Sequence, residues 1–445
     1  MKSKILCLLM ALLLGACSNN KDTEIKSTSV SDLIANIDNY EKAQEDKNPE
    51  KNQNDKENKE KSKKTSGKTK NVEEKGKKQA SQKEGKTKKS ESSKKSEVQS
   101  IKIKAFGDIM AHYAQIQYAQ NRGGGSYDFT EQFKYIKDFV SDSDISIGNY
   151  ETTTNPNLAY AGFPRFNTPK EYLEAIKDCG FDILSTANNH SLDTGVEGVI
   201  TTIEAMDEVG LDHVGSTKDN GEKILMKTLG DTKIAFLAYT YGCNGLENLV
   251  SPREEIENLN YLSNEEQIKG DIKKAKEEGA DFVVIYPHWG IEYQSYPSES
   301  QIDLGRKMVD WGADLVIGNH PHVVQPYEMY KTKDGREGLI AYALGNFISF
   351  QNLENNKDIR VEQAVAFEID LEINHISGEK KIKKVKTHPI WVGTNYDDYG
   401  LSIKTYLAED FLEGGKFYDQ VNENQRARIQ QAYDMVNETM EVEVD

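Results

Sequence analysis

The stretch "LVIGNHPHVVQP" (315–326) runs from residues suited to a buried strand into a small polar corner, and two histidines, His320 and His322, follow one residue apart. The whole chain has only eight histidines in 445 residues. Two of them at the end of one core strand point to a site. In open α/β sheets ligands bind beyond the carboxyl ends of the strands. Pro321 fixes φ between the histidines and removes a donor. In an extended segment residues two apart face the same side, so both imidazoles are expected to reach one cluster.

The same layout recurs along the chain. Short apolar or β-branched runs at 101–106, 144–150, 181–187, 233–240, 281–287, 314–319 and 339–345 read as strands. Helical patterns lie between several of them, at 130–140, 168–180, 195–210, 264–280 and 300–313. Thr168-Pro169 reads as a helix start, and Gly180 and Gly210 as helix stops. Strands alternating with helices predict a mostly parallel sheet covered on both faces. Two longer alternating runs, 361–373 and 381–392, read as antiparallel strands with one wetter face.

Nearly every predicted strand ends in groups suited to metal binding or proton transfer. Gly107-Asp108 follows the first, with His112 four residues on. Asn149 and Glu151 follow the second, and Asn188-Asn189-His190 with Asp193 the third. His288, Trp289 and Glu292 follow 281–287, and Asn346 follows 339–344. A single histidine at a strand end is more often structural, but six such ends in one domain predict a shared cleft. A mixed Asp/Asn/His/Glu set without cysteine suits zinc, manganese or iron in a hydrolytic site. Asp193 equally suits a cap on the helix near Gly195. Arg165, in "AGFPRFNTP", is a candidate anion clamp or a surface arginine. Trp289 and Glu292 are candidate substrate contacts.

The motifs "GDIMAH", "GNYET", "TANNHSLDTG", "PHWGIEY", "GADLVIGNHPHVVQP" and "YALGNF" resemble, in order, those of the calcineurin-like metallophosphoesterases. Within these, the chain is similar to the CapA-type proteins of bacterial poly-γ-glutamate capsule synthesis. The resemblance implies an α/β four-layer αββα sandwich of the metallo-dependent phosphatase type over 101–400. It implies two divalent ions (Mn, Zn or Fe) held by Asp108, Asn189, His288, His320 and His322. His190, beside Asn189, would be the general acid. Glu151 stands where the pattern has a bridging Asp, and Asn149 lies two residues before it, so the bridge falls on either. The pattern begins Asp-x-His, whereas here Asp108 and His112 are four apart, so His112 either ligates or faces away.

The N-terminal hundred residues have a different character. "MKSKILCLLMALLLGACSNN" has a basic start, an apolar run too short to span a bilayer, and small residues before Cys17. It resembles a lipobox, which implies a signal peptide over 1–16 and acylation of Cys17, giving stable anchoring. Residues 17–100 are low in apolar side chains and read as a disordered tether. Positions 51–100 hold 17 Lys against 8 acidic residues, a solvated spacer or an arm for anionic surfaces. The region 101–445 holds 33 Lys+Arg against 57 Asp+Glu, a balance of −24 that argues against nucleic-acid binding. Cys179 and Cys243 read as buried free thiols. Residues 401–445 read as a helical extension.

The expected protein is therefore lipid-anchored on the extracytoplasmic face of the cell membrane. It would act in capsule synthesis or export, on the polymer or on a phosphorylated or γ-glutamyl substrate, beside the capsule synthase's membrane components. The alternatives are a general extracellular metallophosphoesterase and a non-enzymatic scaffold for polymer export.

Overall fold

The computed structural model describes residues 98–219, 221, 223–250 and 257–445. The signal peptide, Cys17 and nearly all of the tether lie outside the described residues. In chain order the strands are β1 (Val98–Ile109), β2 (Ile145–Tyr150), β3 (Ile183–Ser185), β4 (Asp212–Val214), β5 (Leu225–Leu229), β6 (Thr232–Thr240) and β7 (Phe282–His288). They continue with β8 (Leu315–Ile317), β9 (Tyr327–Lys331), β10 (Glu337–Ala341), β11 (Asn346–Ile348), β12 (Gln363–Asn374), β13 (Lys380–Asp397) and β14 (Gly400–Leu407). The helices are α1 (Tyr113–Gly123), α2 (Lys137–Ser141), α3 (Glu171–Cys179), α4 (Gly195–Val209), α5 (Glu265–Glu277), α6 (Glu299–Trp311), α7 (Leu353–Asn356) and α8 (Glu423–Met440). Among the described residues no helix is long and apolar enough to cross a membrane.

Two sheets form. The first has the order β14-β13-β12-β1-β2-β3-β4, with β11 also paired to β1. Its β1-β2-β3-β4 half is parallel, and its β1-β12-β13-β14 half is antiparallel. The second has the order β5-β6-β7-β8-β10-β9, parallel from β6 to β10 with an antiparallel strand at each edge.

Alternation along each strand builds the layers. On β6, Ile234, Phe236 and Ala238 join Ile101, Ile103, Ile145 and Ile147 of the first sheet in one core between the sheets. Ala235, Leu237 and Tyr239 point the other way, into a core with Ile268, Ile272, Met308 and Val309 of α5 and α6. Phe106, Ile109, Phe181 and Phe347 cover the opposite face of the first sheet, with Ile116 of α1 and Leu173 and Ile176 of α3. The result is a four-layer αββα sandwich. Gly180 (φ 111°) and Gly210 (φ 75°) end α3 and α4 in the left-handed region, as expected of helix stops.

One boundary differs. Residue 400 is not where a helical extension begins. β14 pairs with β13 from Asp397↔Gly400 to Ile390↔Leu407, and Ile403 and Leu407 sit in the core. Its alternating side chains satisfy a sheet edge, and beyond it come two short 3-10 turns (Ala408–Phe411 and Tyr418–Gln420) before α8. Trp391 and Tyr406 form a small core with Phe411, Ile429 and Ala432 that holds α8 down. Cys179 and Cys243 are buried free thiols. Burial pushes both up, Cys243 to about 12.

Candidate metal centre

The parallel strands of both sheets deliver their carboxyl ends to one place. β1 brings Asp108, β2 brings Asn149 with Glu151 just beyond, and the turn after β3 brings Asn188, Asn189 and His190. From the second sheet, β7 ends in His288, and the turn after β8 carries His320 and His322. Close backbone contact makes this possible. Gly107 faces β11 so closely that a Cβ there would lie 1.9 Å from the Gly345 carbonyl oxygen. The adjacent Asp108 amide donates to that same oxygen at 3.0 Å.

The two histidines of the opening stretch do reach one cluster, but not from an extended segment. His320 has φ 101° and His322 φ 58°, so two positive-φ residues, rather than strand alternation, aim them. Such backbone is costly for a non-glycine residue and concentrates at functional sites.

Two groups of donors can each hold a metal ion: Glu151 with His320 and His322, and Asp108 with Glu151 and His288. In each group one donor atom per residue lies within 4.8 Å of the others. Glu151 is common to both groups. Asn149 instead acts as a donor to Asp108 Oδ1 (2.8 Å) and receives Asn188 Nδ2 on its own Oδ1 (3.3 Å). His288 lies between two amides, with Nδ1 3.3 Å from Asn149 Nδ2 and Nε2 2.9 Å from Asn189 Oδ1. His322 Nδ1 lies 3.0 Å from Asn346 Oδ1 and 3.3 Å from Asp108 Oδ2, and its Nε2 lies 3.8 Å from Glu151 Oε1. A neutral His322 with its proton on Nδ1 turns the Nε2 lone pair toward Glu151, the usual arrangement of an imidazole that binds metal.

The electrostatics fit a cation. Asp108 and Glu151 are fully buried together. Burial, then the Asp108 charge, pushes the Glu151 carboxyl well above the usual range. Burial, then His322, holds His320 down at about 3. Burial and the neighbouring imidazoles also hold His288 well below its usual value. Burial works against a charged His322, but Asp108 outweighs it and raises that ring. Among the described residues, Glu151 Oε1 and His320 Nδ1 are buried with no hydrogen-bond partner. Buried polar atoms are nearly always paired, so both are donors awaiting an acceptor of lone pairs. Oxygen and imidazole donors without thiolate suit Mn, Zn or Fe.

Beside the cluster, His190 Nδ1 lies 2.7 Å from Asp193 Oδ2, and both side chains are buried. The carboxylate fixes the ring and leaves Nε2 as its free end. The same Oδ2 accepts from the Phe166 amide at 2.6 Å. Asp193 is thus a partner of His190 and not a helix cap. Tyr241 covers the metal donors, its ring 4.8 Å from that of His320 and nearly parallel to that of His288.

Other predicted residues take different places. Trp289 faces away from the cleft. It is buried in the core beneath α6, with its indole N–H on the Tyr342 carbonyl (2.9 Å). The side chain after His288 alternates to the helix side of the sheet, which removes it from the substrate contacts. Glu292 is exposed, and its charge still reaches Glu151 and His322. His112 is in neither donor group; its Nδ1 accepts from the Phe350 amide at 3.2 Å. Arg165 is exposed and donates through Nε to the Asp193 carbonyl at 2.7 Å. Asn188 and Asn346, read as strand-end groups, enter as hydrogen-bond partners of Asn149 and His322. Both stand in the quoted motifs, whereas Tyr241 was not singled out and nothing local marks it.

A model of the bacterial capsule synthesis protein PGA_cap family matches residues 102–351. The capsule biosynthesis protein CapA of Bacillus anthracis is 31% identical over 61% of this chain and 65% of that one. The PGA biosynthesis protein CapA of Bacillus subtilis (strain 168) is 31% identical over 58% of this chain and 65% of that relative. The match therefore spans less than two thirds of the length of these relatives. Among solved structures, the calcineurin-like phosphoesterase YfkN from Bacillus subtilis aligns over 76% of this chain and 98% of that one, at 16% identity and a TM-score of 0.39.

Proposed function

The chain belongs to the bacterial capsule synthesis protein PGA_cap family, and from that premise we propose that it is a lipid-anchored, extracytoplasmic capsule protein with a two-metal hydrolytic site. The observation that carries the site is Glu151, whose carboxylate serves both donor groups. Asp108, Glu151 and His288 would hold one divalent ion, and Glu151, His320 and His322 the other, with Asn149 and Asn189 beside them. Such a pair supplies charge stabilisation for the attacking and leaving oxygens of a displacement.

The chain's own residues do the rest. Asn149 orients Asp108, and Asn346 orients His322. His190 Nε2 is the proton donor for the leaving group, with Asp193 holding Nδ1 and stabilising the charged ring. Tyr241 limits water on the donor side. The bond broken would be a phosphoester or a γ-glutamyl amide of the capsule polymer or its precursor. The capsule synthase's membrane components are the natural neighbours of such a protein, and Cys17 with the Lys-rich tether supports the anchored location.

Two substitutions test the reading. Asp193→Asn and His190→Gln should keep wild-type metal content while hydrolysis of a phosphoester or a γ-glutamyl oligomer falls by about 10²–10⁴-fold, the usual span for a general acid. In a strain lacking the gene, the same variants should fail to restore capsule. Restored capsule with either variant would mean that the chain acts as a scaffold and not through hydrolysis.

A further inference from the structure

Residues 162–166 run beside His112, His190 and Asp193, and His112 and Arg165 there are not used by the metal centre. Gly162 packs against the backbone at His112, where a Cβ would lie 2.5 Å from the Tyr113 nitrogen. Phe166 is buried, and its ring meets that of His112 edge-on at 5.1 Å and that of His190 edge-on at 4.7 Å. One phenyl ring therefore spaces two imidazoles.

Each imidazole is engaged through Nδ1, and Gln115 also reaches the His112 ring. Phe350 N–H donates to His112 Nδ1 (3.2 Å), and His190 Nδ1 faces Asp193 Oδ2 (2.7 Å). Among the described residues neither Nε2 has a hydrogen-bond partner. A ring nitrogen that accepts from an amide carries no proton, so neutral His112 holds its proton on Nε2 and is a donor there. A metal ligand would need a lone pair at that atom. His112 therefore has the wrong tautomer for a ligand and the right one for an anion. Burial keeps the ring neutral, with its value down at about 4.

Arg165, the residue before Phe166, is fixed at one point. Its Nε donates to the Asp193 carbonyl at 2.7 Å, and among the described residues its Nη groups have no partner. A guanidinium held at Nε and free at both Nη atoms is a preset fork for two oxygens. Asp193 is the shared anchor: its carbonyl holds Arg165, and its carboxylate holds His190 and the Phe166 amide.

We propose that Arg165 and His112 form an oxyanion-binding subsite beside His190, which takes a phosphoryl or carboxylate group of the substrate, and that His112 faces substrate and not metal. This rests on the hydrolytic reading of the cluster for its place in the reaction, but not for its ability to bind an anion. A subsite of this kind would counter the acidic balance of the folded region, which otherwise repels an anionic polymer.

The test uses the purified full chain, as isolated and after loading with Mn²⁺, titrated calorimetrically with inorganic phosphate and separately with γ-glutamyl-glutamate. Arg165→Gln and His112→Asn are compared with wild type, and metal content and melting temperature are read on each. Both variants should keep the wild-type metal content and bind one of the two probes about tenfold or more weakly, the scale of one lost charge-assisted hydrogen bond. The probe affected tells phosphoryl from carboxylate. Arg165 is exposed, so its variant stays folded whatever happens at His112. Loss of metal in His112→Asn would make His112 a ligand and overturn its assignment. Unchanged binding of both probes in both variants, or no binding to wild type, would overturn the subsite. A wild type that takes up no metal but shows the Arg165-dependent binding would sink the hydrolytic reading and leave the subsite standing.

Discussion

His320 sits at φ 101° with its backbone N–H 3.4 Å from Asp108 Oδ2. A side chain in that conformation is strained, and glycine is not. In metal-free protein His320→Gly should therefore be more stable than His320→Ala by about 1 kcal/mol, as read from chemical denaturation midpoints. Equal stabilities would mean that the backbone relaxes without strain. His322 supplies a pH dependence. Its folded value lies above 6.5, raised by Asp108 against the effect of burial. Below that value the free ring holds a proton that a metal ion must displace. Metal affinity should fall as pH drops from neutrality toward 6, and uptake at pH 6 should release protons, measurable by calorimetry in buffers of different ionisation enthalpy. Uptake without proton release at pH 6 would contradict this. Most of these residues could be read from the chain itself, because Asp, Glu and His at strand ends have few bland explanations in such number. The roles were less legible. Glu151 and Asn149 are two apart, one just beyond β2 and one on it, and only the meeting of two sheets shows that Glu151 is the carboxylate common to both donor groups.

At the scale of elements, the close approach of β1 and β11 is what places Asp108. Gly107→Ala would drive a methyl into the Gly345 carbonyl, with backbone on both sides and no flexible side chain to yield. The chain must shift, at a cost of about 1–3 kcal/mol as in other overpacked sites. Asp108 must move with it, so the variant should lose metal affinity as well as stability. A variant with lower melting temperature but unchanged metal affinity would separate Gly107 from the site. β11 itself is three residues long and carries no pattern that a sequence could announce. β3, β4 and β8 are equally short, yet β3 and β8 lie inside apolar runs that end in conspicuous polar motifs, and so were visible. The segment 130–140 has helical spacing but forms only a tight turn at Thr130–Phe133 and the five-residue α2. A helix that short has little stability of its own, and the contacts of Tyr172 with a tilted Phe129 ring and a stacked Phe133 ring set its path instead. β14 was hidden for a related reason: an alternating edge strand next to a true helix reads as part of its neighbour.

For the whole molecule, the decisive fact is that two sheets with parallel centres present their carboxyl ends to the same cleft. Neither sheet alone completes a donor group: Asp108 and Glu151 come from one, and His288, His320 and His322 from the other. The alternation of Ile234, Phe236 and Ala238 against Ala235, Leu237 and Tyr239 made each strand two-faced in the sequence. Which sheet each strand joins depends on contacts hundreds of residues apart, and no local pattern carries that. The metal content of Glu151→Ala tests this convergence most directly, measured by elemental analysis of the purified full chain beside wild type, His288→Ala and the His320→Ala/His322→Ala pair. The shared carboxylate predicts two equivalents of divalent metal in wild type, about one after either set of histidine substitutions, and near none in Glu151→Ala. Wild type without stoichiometric metal, or Glu151→Ala retaining both ions, would contradict it.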